Sequence, residues 1–259
     1  MKIIGIDGYN SFLGKNFIKK YKKSLKVFKF NGDINKINDV KKFINKNKIN
    51  IYIRLASLSR ASCVENKSNC YNTNYIANKK LVDHLIKKKI KLIFLSTSHV
   101  YKISNKKLNE KSPTNPQNKY SFYKLKTENY IKNKLHNYLI IRSFNIYGKN
   151  QKSGFFIPDI KSKILNSENI IINNSFRDFI KVDDVSRFIR FSIRKNIKGI
   201  FNLGTGKSIN LKELILSISK KLNKKIKLTV NKKKDKLVND KTTLKKIGFK
   251  LKYEKNFNI

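Results

Sequence analysis

Lys2-Ile-Ile-Gly-Ile-Asp7-Gly8-Tyr-Asn-Ser11-Phe-Leu-Gly14 opens the chain with an apolar run and a glycine-rich turn, then a helical pattern carrying Phe17, Ile18 and Tyr21. That order predicts a strand, a tight turn and a helix. Such a turn lets backbone approach a pyrophosphate at the positive helix terminus. The spacing is Gly8-x-x-Ser11-x-x-Gly14, so a middle glycine is missing. Ser is small and its hydroxyl could donate to a phosphate. The Asp7 carboxylate would repel one unless it points away.

Outward from this stretch, short apolar runs alternate with amphipathic ones, the pattern of a parallel sheet with crossover helices. Strands are predicted at 2–6, 25–30, 51–55, 92–96 and 138–142, with a short one near 200–203. Helices are predicted at about 12–23, 36–46, 72–88, 119–134 and 183–195, with two more near 157–166 and 211–222 in a smaller C-terminal lobe. Lys-rich stretches such as 224–236 are expected to be solvated loops or faces.

The chain of 259 residues is long enough for one sizeable core with a small second lobe. A net charge of +44 ordinarily points to nucleic acid or an anionic membrane. Here the cations are mostly Lys, spread over every segment, and Asn and Ile are equally inflated. Shared A/T-rich codons explain that bias, so nucleic acid is not the expected partner, although a basic surface favours an anionic substrate. Cys63 and Cys70 match no zinc or redox spacing and are read as free thiols in a reducing cytoplasm. His84, His99 and His136 form no ligand cluster with them, and no metal is expected. With no long apolar run, a soluble cytoplasmic protein is expected.

Tyr120-Ser-Phe-Tyr-Lys124 places a phenol and an ammonium on one helical face. An adjacent ammonium favours the phenolate, which makes Tyr120 a candidate acid–base group. The second strand ends Val27-Phe-Lys-Phe-Asn31 without the acid that binds the ribose of NAD, and Lys29 could pair with the 2′-phosphate of NADP, a slight preference for NADP.

The chain resembles the extended short-chain dehydrogenase/reductases, in particular the NAD-dependent epimerase/dehydratase branch that acts on nucleotide sugars. Asp7-Gly-Tyr-Asn-Ser-Phe-Leu-Gly14 is similar to the opening Thr-Gly-Ala-Asn-Gly-Phe-Ile-Gly, and Arg54-Leu-Ala-Ser57 to His-Leu-Ala-Ala. Leu95-Ser-Thr97-Ser-His-Val-Tyr101 resembles the segment whose hydroxyl, four residues before the Tyr, is catalytic. Ile141-Arg-Ser-Phe-Asn145-Ile-Tyr-Gly148 resembles Arg-Pro-x-Asn-x-Tyr-Gly, with Ser143 for Pro. Arg177-Asp-Phe-Ile-Lys-Val-Asp-Asp184, Phe201-Asn-Leu-Gly-Thr-Gly206 and the tail 240–249 follow the family in order.

The resemblance implies a Rossmann-type doubly wound α/β fold with a small substrate lobe. The dinucleotide-binding part would be 1–145, with 178–203 returning to it, and the lobe 146–177 and 204–259. Thr97, Tyr120 and Lys124 would be catalytic. NAD or NADP would lie on Gly8, Asn10, Ser11, Phe12, Leu13 and Gly14, on Asp33 and Ile34, on Leu55, Ala56 and Ser57, and on Asn74, with Tyr120 and Lys124 reaching its nicotinamide ribose. Thr97, Asn145 and Arg177 would meet the nucleotide sugar, Arg177 through the diphosphate. The implied activity is C4 epimerisation or 4-keto reduction in surface-polysaccharide precursor synthesis. The 4,6-dehydratases carry Asp-Glu after the catalytic Thr; here Ser98 and His99 stand there, which disfavours dehydration. A homodimer is expected through the helices near 72–88 and 119–134, with Ile76, Leu81 and Leu85 as apolar contacts. A non-catalytic relative that senses cofactor or binds nucleic acid is the competing reading, motivated by the charge and the missing loop glycine.

Overall fold

The computed structural model describes residues 2–252. β1 (Ile3–Asp7) leads through the glycine turn into α1 (Phe12–Tyr21), and β2 (Lys26–Lys29), α2 (Ile37–Lys46) and β3 (Ile51–Arg54) follow. Two short helices, α3 (Arg60–Glu65) and α4 (Lys67–Tyr71), run through a π-helical turn (Asn72–Ile76) into α5 (Ala77–Lys87). Then come β4 (Lys91–Thr97), α6 (Lys119–Lys134), β5 (Tyr138–Ser143), β6 (Asn145–Tyr147), α7 (Phe156–Leu165), β7 (Ile170–Arg177), β8 (Phe179–Lys181) and α8 (Val182–Arg194). β9 (Gly199–Leu203), β10 (Ile209–Asn210), α9 (Leu211–Lys221), β11 (Leu228–Leu237) and α10 (Thr242–Lys246) close the chain.

Six strands form one parallel sheet in the order β2-β1-β3-β4-β5-β9. Its central strands are buried on both faces, as near-continuous apolar runs predict. Alternation sorts their side chains: Ile53, Ile93 and Ile141 join Phe17, Val185 and Phe188 on one face, while Tyr52, Phe94 and Ile140 join Leu81, Leu85 and Ile131 on the other. Helices therefore cover both faces, α1 and α8 against the first, α2, α5 and α6 against the second. The lobe has its own core of Ile157, Ile160, Ile164, Leu214 and Ile218 beside a three-stranded sheet, β10-β7-β11.

Side-chain caps set several helix starts. Ser11 caps α1, Asn118 caps α6 and Asn210 caps α9 by accepting from first-turn N–H groups. Asn66 ends α3 and caps α4, and this tight reversal brings Cys63 and Cys70 to a Cα–Cα distance of 4.9 Å.

Three expectations are corrected here. Cys63 and Cys70 are not free thiols but a buried disulfide, so they give no argument for a reducing compartment. The Lys-rich stretch 224–236 presents a solvated face as expected, and the structure adds that most of it is strand β11, paired in parallel with β7. Leu81 and Leu85 face the core at 1% and 0% exposure, so they cannot form a dimer contact. In the tail, Leu244 and Phe249 pack in the core beneath the main sheet rather than in the lobe, and 253–259 lie outside the described residues. Among the described residues no helix is long and apolar enough to cross a membrane.

Thiol titration tests the disulfide. The denatured, unreduced protein should react with no thiol reagent, and two thiols per chain should appear after reduction.

Candidate active site

The sheet reverses its winding at β1, with β2 on one side and β3 on the other, and the loops leaving β1 and β3 diverge above the carboxyl edge. A cleft of about 870 Å³ opens there. Its floor is Ser11, Phe12 and Leu13 after β1, Leu55 and Ser57 after β3, and Thr97 at the end of β4. Asn145, at the start of β6, and Arg177, at the end of β7, look in from the opposite side.

The first turn is built by close backbone approach. Gly8 has φ +59°, and a Cβ on it would lie 2.5 Å from the Ala56 nitrogen. A Cβ on Gly14 would lie 2.3 Å from the Gly8 carbonyl oxygen. Ser11 replaces the middle glycine without strain because its Oγ accepts from Gly14 N at 3.1 Å, which caps the helix and leaves its hydrogen free to donate. First-turn N–H groups of a helix have no intrahelical partner, so this cradle fits a diphosphate. Asp7 does point away: Oδ1 accepts from Leu55 N and Ala56 N, both at 2.9 Å, and Oδ2 from Tyr52 at 3.0 Å and Arg54 at 2.7 Å.

Other expected cofactor residues lie outside the cleft. Asn10 is exposed, Ile34 packs in the core, and Asp33 accepts from Asn35 N and Nδ2 at 2.9 and 3.0 Å. Ala56 contributes its backbone to the Asp7 carboxylate. Asn74 is fully buried and holds the loop after β3: its Oδ1 accepts from Leu58 N at 2.9 Å and Ser57 Oγ at 3.0 Å, and its Nδ2 donates to Leu58 O at 3.1 Å. The same Nδ2 lies 3.4 Å from Cys63 Sγ and 3.6 Å from Cys70 Sγ, so the disulfide backs this loop.

Thr97, Tyr120 and Lys124 meet in the cleft. Lys124 Nζ donates to Leu95 O at 2.9 Å and stands 4.7 Å from the Phe94 ring centroid and 5.8 Å from that of Tyr120. Burial pushes the Tyr120 phenol up to about 12, partly opposed by a hydrogen bond with Thr97. Burial also brings the Lys124 ammonium down to about 7, helped by the Arg54 charge and opposed by Asp7 and Glu128. The expected acidification of the phenol by its neighbour is therefore outweighed: desolvation disfavours the charged form of both groups. At neutral pH Tyr120 is protonated and able to donate.

A buried network that sequence reading did not identify supports this trio. Ser96 donates to Glu128, and Arg142 donates to Glu128 Oε2 from Nη2 at 2.6 Å and Nε at 3.0 Å, with Nε also reaching Oε1 at 3.2 Å. Arg142 Nη1 donates to Tyr101 at 2.9 Å, which donates to Asn202 Oδ1 at 2.6 Å. Glu128 thus ties α6, one turn beyond Lys124, to the residue before Thr97. The available signal was its four-residue spacing from Lys124.

On the lobe side, Arg177 pairs with Asp235 of β11, not with Asp178 or Asp183. Asp178 is buried and accepts from Thr205 N at 2.8 Å and Gly206 N at 2.8 Å. Both N–H groups of Asn145 that bond within the protein, backbone and side chain, donate to Asp178 O at 3.0 Å. His99 lines the cleft, and burial brings its imidazole down to about 4, with the charges of Arg177 and Arg60 adding to the effect and Asp235 opposing it. It is neutral and no acid at ordinary pH. Among the described residues no cluster could hold a metal ion.

The profile described as the NAD dependent epimerase/dehydratase family matches residues 8–204. A dTDP-D-glucose 4,6-dehydratase of Dictyostelium discoideum is 26% identical over 243 residues, covering 84% of this chain and 56% of that protein. A dTDP-4-dehydro-6-deoxyglucose reductase of Escherichia coli is 36% identical over 148 residues, covering 52% of this chain and 46% of that protein. The chain spans about half the length of these curated relatives. In fold it is similar to the crystal structure of a dTDP-4-dehydrorhamnose reductase from Bacillus anthracis in complex with NADP, with a TM-score of 0.84, 20% identity, and coverage of 98% of this chain and 96% of that one.

The Lys124 ammonium makes a testable demand on stability. An unfolded Lys keeps its proton to about 10.5, whereas the folded one releases it near 7. Between those values the unfolded chain binds more protons, so stability rises with pH; below about 7 the cost of the buried charge is felt in full. Compared with Lys124→Met, the wild type should gain up to about 1.4 kcal/mol more per pH unit across this window, and the variant should be the more stable at pH 6. Denaturant unfolding from pH 6 to 10 measures both.

Proposed function

The chain belongs to the NAD dependent epimerase/dehydratase family, and on that footing we propose that it is an NAD(P)-dependent enzyme of the extended short-chain type that acts at C4 of a nucleotide-linked sugar. The convergence of Thr97, Tyr120 and Lys124 at the carboxyl edge of the sheet, beside the Gly8–Gly14 cradle, carries this reading. The Gly8–Gly14 cradle would hold the diphosphate of a nicotinamide cofactor, which would supply hydride chemistry at the sugar carbon. Thr97 hydrogen-bonds the sugar oxygen and aligns it with the Tyr120 hydroxyl. Tyr120, protonated at neutral pH, gives its proton to that oxygen as a carbonyl becomes an alcohol. Lys124 reaches the ribose hydroxyls on the side away from Leu95. Arg177, held by Asp235, meets the substrate diphosphate together with Asn145.

Epimerisation would need Tyr120 first as a base and then as an acid, whereas 4-keto reduction needs it only as an acid, the role its upward shift suits. Dehydration across C5–C6 calls for an acid pair where this chain has Ser98 and a neutral His99. NADP is favoured slightly: Lys29 Nζ stands 5.6 Å from the Tyr9 ring centroid, and Tyr9 donates to Asn31 at 2.9 Å, so a cation is held at the adenosine edge of the cradle. A homodimer would use the outer faces of α4, the π-helical turn and α6, where Tyr71, Tyr75, Phe122 and Tyr123 make an aromatic group with Tyr71 and Phe122 exposed.

Incubation with NADH or NADPH and a panel of 4-keto nucleotide sugars tests the reaction. A reductase consumes one reduced cofactor per product, an epimerase consumes none. Tyr120→Phe should fold and bind cofactor while turnover falls by about 10²-fold or more; near-normal turnover in this variant would refute the mechanism. Thr97→Val should lower turnover with little change in cofactor affinity.

A further inference from the structure

Two departures from the family pattern meet beneath Lys124. Asp7 stands where the family has Thr and Arg54 where it has His, and the structure joins them, Arg54 Nη1 to Asp7 Oδ2 at 2.7 Å, each only 1% exposed. Strand register pairs Asp7 with Arg54 and Arg54 with Phe94. Residues in register on a parallel sheet share a face, so the three form one row running from β1 through β3 to β4. Lys124 lies over the end of that row, its Nζ 4.7 Å from the Phe94 ring centroid. Arg54 is held in place by Asn78, which accepts from Nε at 2.7 Å, while its Nη2 is buried without a partner among the described residues.

The charges facing Lys124 nearly cancel before its own is counted. Arg54 from β3 is matched by Asp7 from β1, and Glu128 from α6 is already engaged by Arg142 from β5. Tyr120, 5.8 Å from Lys124 at its ring centroid, and Tyr52, which donates to Asp7, are both held protonated by burial. An ammonium at Lys124, a buried group on the wall of the cleft, is therefore a surplus cation, and the fixed positive charge acting on it is the Arg54 guanidinium, which cannot release its proton.

We propose that Arg54, anchored by Asp7 in the row beneath Lys124, is a positioning residue that biases the protonation of Lys124 and thereby makes cofactor binding depend on pH. It acts through Lys124 and touches neither sugar nor cofactor. The inference rests on Lys124 serving the cofactor as argued above. The two partners must then act with opposite sign: loss of the Arg54 charge lets Lys124 keep its proton to higher pH, and loss of the Asp7 charge makes it release the proton at lower pH.

Lys124 is titrated directly by NMR of isotopically labelled lysine side chains, assigned by difference from Lys124→Met, and in parallel NADH and NADPH affinities are measured from pH 5.5 to 9.5. In the wild type, Lys124 should titrate near neutrality. Arg54→Gln should raise its midpoint by about one pH unit or more and Asp7→Asn should lower it, with the pH dependence of cofactor affinity moving the same way. Arg54→Lys, which keeps a charge, should restore most of the wild-type midpoint. A purely structural pair would lower stability in both variants and leave the midpoint in place, and that result overturns the proposal. Should Arg54→Gln not fold, the wild-type midpoint and Asp7→Asn decide it: a wild-type Lys124 titrating near the ordinary lysine value, or one unmoved by Asp7→Asn, is a refutation. The titration needs no substrate, so its failure is separate from failure of the proposed reaction, which Tyr120→Phe reports.

Discussion

Everything at the cleft depends on how closely the backbone after β1 approaches the backbone after β3. The Gly8 Cα lies where any side chain would strike Ala56, and Gly14 lies against the Gly8 carbonyl. This contact seats α1 against the sheet with its first turn facing the cleft. Asp7 completes the junction: one carboxylate accepts the N–H groups of Leu55 and Ala56, which as loop donors would otherwise be buried without partners. The acid that looked unfavourable beside a phosphate is the clamp that holds the two strand ends together, and its charge is directed into the sheet.

The same low-dielectric interior that makes such clamps effective controls the ionisation of the site. Burial dominates the shifts of Tyr120, Lys124 and His99, and neighbouring charges modify the result. A proton donor results from desolvation, without any help from an acidifying neighbour. The Glu128–Arg142–Tyr101–Asn202 chain adds rigidity, because each buried group in it has a partner and none can move without breaking a bond.

The parts that sequence pattern makes legible are those where one period rules. The central strands β3, β4 and β5 of the main sheet are mostly apolar runs of buried residues, and α1, α2, α8 and α9 carry one apolar stripe each, so their limits were readable within a few residues. The lobe strands were not, because β7 and β11 are partly solvated and β11 carries the run Lys232–Lys234; pairing, not apolar pattern, makes them strands. Leu81 and Leu85 read equally well as core or as interface, since a helix stripe does not say what covers it. The Cys63–Cys70 bridge needed the reversal at Asn66, a local geometry that spacing alone does not reveal. Thr97, Tyr120, Lys124 and Arg177 were readable from motif order. Their supports, Glu128, Asp235 and the Asp7–Arg54 pair, come together from distant segments.

The +44 charge takes on a physical meaning once it is divided between surface and interior. The charged residues buried among those described are Arg54, Lys91, Lys124 and Arg142 against Asp7, Glu128, Asp178, Asp184 and Asp235, a nearly balanced set. The excess of lysine is therefore almost wholly on the surface, where water and salt screen it and each charge costs little. Inside, the permanent cations are arginines with carboxylate partners. The two buried lysines are the ones drawn down toward neutrality, Lys91 to about 8 and Lys124 to about 7. Guanidinium and ammonium are thus divided by chemistry: the interior keeps a fixed charge where a carboxylate answers it, and a releasable proton where none is free to do so.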